Sequence, residues 1–165
     1  MPTMPPLAVT QRKGSVVAPT LRSMGPETLR EWIAEHPPPD KAFRQSLAWV
    51  GERVLAGEEL RFAVREFLDE LALLPRPELR ERAIAERPPD TGDQQADAYL
   101  GALAEHLAAV HVLPRPGWAV EPGRFLATFW FPGLLPAFQP MAIAESPAAF
   151  RRRGIFIPAA ALARC

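Results

Sequence analysis

Prolines cut this chain into short lengths, and the lengths between them are helical. Twenty of the 165 residues are proline. They gather at Pro37, Pro38 and Pro39, at Pro75 and Pro77, and at Pro88 and Pro89, then recur at short intervals from Pro114 onward. A proline inside a helix removes a hydrogen bond and clashes with the preceding turn, so each group marks the end of an element.

Between these breaks apolar residues recur at helical spacing. Leu29, Trp32 and Ile33 line a first helix over residues 26–35, with Pro26 at its first position. Phe43, Leu47, Val50 and Val54 line a second, which starts near Asp40 and stops at Gly57. Leu60, Val64, Phe67, Leu71 and Leu74 line a third. A short fourth helix spans 77–86, with Leu79, Ala83 and Ile84 inward. A fifth starts at Thr91 or Asp93 and carries Ala96, Leu100, Leu103, Leu107 and Val110. The short link between the second and third predicts antiparallel neighbours.

After Pro114 the stripes stop. Prolines, glycines, tryptophans and phenylalanines predict short helices and tight turns wrapped on the helical core. Residues 128–131 and 155–157 suit two very short strands. Ser146-Pro147 suits a helix start and Gly154 a helix stop, which predicts a two-turn helix over 147–153. The expected fold is all-α: about five main helices in an orthogonal or antiparallel bundle over residues 25–165. Residues 25–112 form the helical core and 113–165 an irregular, aromatic- and proline-rich cap. Residues 1–24 are Pro-rich, basic and non-periodic, and read as a disordered arm.

Charge and cysteine usage exclude several classes. Formal net charge is zero, with +3 over residues 1–24 and +3 over 98–165 offset by acidic residues between. A neutral chain lacks the broad positive field of non-specific nucleic-acid binders. Cys165 is the single cysteine, so neither an internal disulfide nor a cysteine zinc site forms. This and the absence of a signal-peptide pattern fit a cytoplasmic protein. Lysine occurs only at 13 and 41 and alanine is abundant, a GC-rich codon bias that suggests a bacterial source. Residues 125–144 carry no charge over the length of a spanning helix, but Pro132, Gly133, Pro136 and Pro140 interrupt them. They read as a buried core segment, and no membrane partner is expected.

Candidate site residues are few. Arg151, Arg152 and Arg153 would grip a phosphate, a nucleic-acid backbone or an acidic partner surface, with Arg124 as a fourth charge. The plainer account is cations stabilising a helix C-terminus. Trp118 and Trp130 would stack on a base or ligand ring, or fill gaps in the core. His106 and His111 lie five apart, on divergent helical faces, so no metal or other cofactor is expected. The acidic side of the third helix, Glu58, Glu59, Glu66, Asp69 and Glu70, is offset by Arg61 and Arg65. It argues against that helix entering a DNA groove.

Several segments carry a resemblance. They are Arg87-Pro88-Pro89-Asp90-Thr91-Gly92-Asp93, Leu103-Ala104-Glu105-His106-Leu107-Ala108, Leu113-Pro114-Arg115-Pro116-Gly117-Trp118, Glu121-Pro122-Gly123-Arg124-Phe125-Leu126, Trp130-Phe131, and finally Glu145-Ser146-Pro147-Ala148-Ala149-Phe150-Arg151-Arg152-Arg153-Gly154-Ile155-Phe156. Over about residues 60–165 the chain resembles small, poorly characterised actinobacterial proteins. These are often attached to helix-turn-helix regulators or encoded beside nucleotidyltransferase-like toxins. The resemblance implies an antitoxin-like or regulatory role through contact with another protein. The expected function is therefore a non-enzymatic interaction module. A nucleic-acid-binding regulator using Arg151 to Arg153 and the basic arm over 1–24 is the first alternative. An enzyme with a site over 118–156, lined by Trp118, Trp130 and Arg124, is the second.

Overall fold

A computed structural model describes residues 46–163. The arm expected over 1–24, the helix expected over 26–35, His36, Phe43 and Cys165 lie outside them. Among the described residues the fold is all-α, with the main helices followed by short helical turns.

Helix α1 spans Leu47–Leu55 and α2 spans Leu60–Ala72. The start of α1 differs from the expectation at Asp40. Ser46 is extended, at φ −127° and ψ 153°, and its hydroxyl accepts the Trp49 N–H, so the helix begins at Leu47. Gly57, at φ 99°, turns the chain in the left-handed region that glycine tolerates best. Leu47 and Val50 of α1 and Ala63, Val64, Phe67, Leu68 and Leu71 of α2 enter the core. Arg53 crosses between the two helices. Its guanidinium donates to both Glu58 oxygens at 2.7 Å and also meets Glu66. These bonds raise the Arg53 pKa and lower that of Glu58. Helix α3 spans Pro77–Ala85 and buries Ala83 and Ile84.

Helix α4, Gln94–Val110, is the centre of the described residues. Asp93 caps it by accepting the Gln95 N–H at 2.8 Å. A one-sided stripe was expected, but α4 buries most of its circumference: Ala96, Ala98, Leu100, Gly101, Ala102, Leu103 and Ala104 are all enclosed. Small side chains allow neighbours to approach on several sides. Val110, expected inward, is exposed.

The cap contains three-residue and four-residue turns at Gly117–Val120, Pro122–Arg124, Pro136–Phe138 and Ala159–Ala161. Helices α5, Gln139–Glu145, and α6, Ala148–Arg151, lie between them. The two expected strands reduce to a single parallel bridge between Trp130 and Ile155. Trp130 N donates to Gly154 O and Phe156 N to Trp130 O. The two segments meet where expected, but turns on either side stop the ladder. Ser146 does not cap α6. Its hydroxyl donates to Ile155 O and accepts the Ile157 N–H, tying the turn before α6 to that bridge, and α6 is one turn long.

The uncharged segment over 125–144 is a correction. It lies at the surface, with Phe129 78% exposed and Leu135, Phe138, Met141 and Ile143 also open to solvent. Its prolines hold it in turns whose side chains diverge, so Leu126, Trp130 and Ala142 turn inward while most of the segment faces solvent. Among the described residues no helix is long and apolar enough to cross a membrane.

Candidate functional site

The expected site residues separate into two environments. Arg124 and Arg153 are each only 1% exposed and are the largest fully enclosed side chains among the described residues. Burying a guanidinium is costly unless its donors find partners, and here the chain itself supplies them. Arg124 donates to Asp97 Oδ1 at 3.2 Å and Pro88 O at 3.0 Å, and reaches Asp97 O and Asp90 Oδ1 at 3.4 Å. Trp118 lies against its guanidinium, with the ring centre 5.4 Å away. The Trp118 indole donates to the Ile84 and Ala85 carbonyls, so this tryptophan locks the end of α3 to the cap.

Arg153 continues the brace. It donates to Arg124 O at 3.1 Å, and to Glu105 Oε2, Ala149 O and Ala119 O at 2.6 Å each. Burial lowers its pKa, against the opposing pull of Glu105. Asp97 Oδ1 also accepts from the Thr91 N–H and hydroxyl. Arg87 bonds Glu121 at 3.0 Å and Asp90 at 2.9 Å. The segments at 87–93, 121–125 and 150–153, far apart in sequence, are thus joined in one polar network over α4.

The arginine row does not act as one group. Arg153 points inward, Arg152 is partly exposed and bonds Glu105 Oε1 at 2.9 Å, and Arg151 is exposed. Adjacent residues on a turn of helix diverge, and the turn that follows α6 carries Arg153 inward. Arg115 joins the same carboxylate oxygen at 3.6 Å. Glu105 was not among the expected site residues. Its signal is being the sole acid within α4 beyond Asp97, in a run of small apolar residues.

Trp130 belongs elsewhere. It is half-buried on the wall of a groove of about 680 Å³ between α2 and the C-terminal segment. Leu60, Val64 and Leu68 of α2 face Tyr99, Trp130 and Ile157 across it. The Tyr99 and Trp130 rings meet edge to face, with centres 6.3 Å apart. Glu59, Arg61 and Arg65 stand on its α2 side. Arg61 pairs with Glu59 at 2.7 Å, whereas Arg65 forms no ion pair among the described residues. The groove draws on both ends of the described chain, so no local motif announces it.

A smaller cleft of about 210 Å³ between α2 and α4 is lined by Leu68, Leu103, His106 and His111. The five-residue spacing predicted divergent histidines. His111 instead ends the helix, at φ −95° and ψ 5°, which returns it to the cleft. Burial lowers both pKa values. The charge of Arg80 adds to the shift at His111, and His111 adds to the shift at His106. Among the described residues no group of His, Cys, Asp and Glu is placed to hold a metal ion.

No family model, curated protein or solved structure matches this chain.

Proposed function

We propose that this domain is a non-enzymatic interaction module that takes an amphipathic segment of a partner protein into the groove beside α2. One observation supports the reading above others: a concave surface of about 680 Å³ combines an apolar floor, two aromatic rings and Arg65, which forms no ion pair among the described residues. Covering apolar surface contributes roughly 25 cal/mol per Å² to association. A helix laid into a groove exploits this through anchors at i, i+3, i+4 and i+7. Trp130 offers the kind of rigid ring on which binding energy concentrates. Arg65 selects a segment carrying a carboxylate beside its apolar anchors, because a like charge there would be repelled. The antitoxin-like role implied by the family resemblance is the form this takes in a bacterial cytoplasm, with the product of a neighbouring gene as the partner.

Co-expression with that gene product tests the proposal. The two proteins are expected to co-purify. Arg65→Glu, an exposed change, and Trp130→Ala are each expected to weaken the complex at least tenfold, while Arg76→Glu outside the groove leaves it intact. Failure to co-purify, or binding indifferent to both groove variants, would overturn the reading.

A further inference from the structure

We propose that Arg115 and Arg152, gathered over Glu105, bind the dianion of a phosphate monoester. The charges are unequal at this point. Glu105 Oε2 accepts from the buried Arg153 at 2.6 Å, a short charge-assisted bond that commits this oxygen to a guanidinium without access to solvent. The other oxygen, Oε1, is shared between Arg152 at 2.9 Å and Arg115 at 3.6 Å. Three guanidinium groups therefore face one carboxylate, which leaves two positive charges uncompensated among the described residues. Both belong to side chains that reach solvent: Arg152 is 40% exposed and Arg115 53%.

Donors are in surplus as well. Arg115 approaches Glu105 as an ion pair beyond hydrogen-bond length, and the only hydrogen-bond-length contact of Arg152 with a described side chain is the one to Glu105. Arg151, next in the chain, is exposed and adds to the positive field. The site is also ordered from below. The Phe125 ring lies 5.3 Å from the Arg152 guanidinium carbon and 4.7 Å from that of Arg153, which restrains both planes. Guanidinium forks match the paired oxygens of phosphate, and a monoester carries close to two negative charges at neutral pH. A dianion balances the surplus, whereas a monoanion balances half of it.

The ester can sit on a small molecule or on a phosphorylated side chain of a partner. The required chemistry is the same, and the test separates the two sources. None of these residues lines the groove beside α2, so the inference stands apart from the function proposed above.

The experiment titrates the full chain, followed by the arginine Nε–H resonances. The probes are phenyl phosphate, phenyl sulfate as a singly charged match in shape, and an otherwise uncharged peptide with one phosphoserine. Saturable shifts at Arg115 and Arg152 are expected, with phenyl phosphate at least tenfold tighter than phenyl sulfate. Arg115→Ala and Arg152→Ala are each expected to weaken binding at least tenfold, and Arg76→Ala to leave it unchanged. Should Arg152→Ala fail to fold, Arg115→Ala decides alone, since Arg115 is a surface side chain. Tighter binding of the phosphopeptide identifies a modified partner as the source, and tighter binding of phenyl phosphate a small ester; either supports the site. No saturable shift, equal affinity for phenyl sulfate, or full affinity in the arginine variants would sink it.

Discussion

The residue that most shapes this molecule is Arg124. Its side chain is enclosed, and it satisfies Asp97, the Pro88 carbonyl and Asp90 in one stroke. Replacing a buried pair by apolar groups can be neutral, but removing one member leaves the other charged and unpartnered. Arg124→Ala leaves Asp97, itself 8% exposed, with Thr91 as its remaining donor and no balancing cation, and opens a void beside Trp118. A loss of about 3–5 kcal/mol in unfolding free energy is expected, measured by urea titration. A loss under about 1 kcal/mol would show that Thr91 alone suffices for Asp97. The sequence displayed Arg124 and the arginine row plainly. Which guanidinium turned inward was not legible, because that depends on carbonyls of residues 88 and 119 that only the fold brings near.

Helix α4 shows how an element acquires its role. Its stripe of leucines was readable, but its near-complete enclosure comes from Ala98, Gly101, Ala102 and Ala104, which no amphipathic pattern flags. Gly101 is a point of close approach. A methyl group there would lie 2.9 Å from Arg124 Cβ and 3.1 Å from the Ala119 carbonyl oxygen. Alanine favours a helix over glycine by about 1 kcal/mol. Overpacking costs about 1–3 kcal/mol, and the upper part of that range applies because Arg124 is fixed by its hydrogen bonds and cannot yield. Gly101→Ala is therefore expected to destabilise by about 1–2 kcal/mol in thermal or urea unfolding. Gly123→Ala, which meets nothing within 4 Å, is the neutral comparison. A stabilised Gly101→Ala protein would mean that the cap moves away from α4 at little cost.

Across the whole molecule the packing on α4 links acid response to folding. Burial lowers the pKa of His106 and His111 from the ordinary value of 6.5. As pH falls, the unfolded chain takes up protons first, so stability is full above about 6.5 and declines below it toward the lower folded values. The urea midpoint is expected to be lower at pH 5.5 than at pH 7.5, and His106→Gln to shrink the difference. A midpoint equal or higher at pH 5.5 would contradict the burial of these histidines. The helical class, the breaks at proline and the spacing of Leu47 and Val50, of Val64, Phe67 and Leu71, and of Leu100, Leu103 and Leu107 could be read along the chain, because helix periodicity and proline geometry are local. The network of Arg124, Arg153, Asp97 and Glu105, the groove between α2 and the C-terminal segment, and the exposure of residues 125–144 were decided by the tertiary structure alone. A guanidinium finds its carbonyls, and an apolar segment its solvent, only after distant segments have packed, and no spacing along the chain encodes those distances.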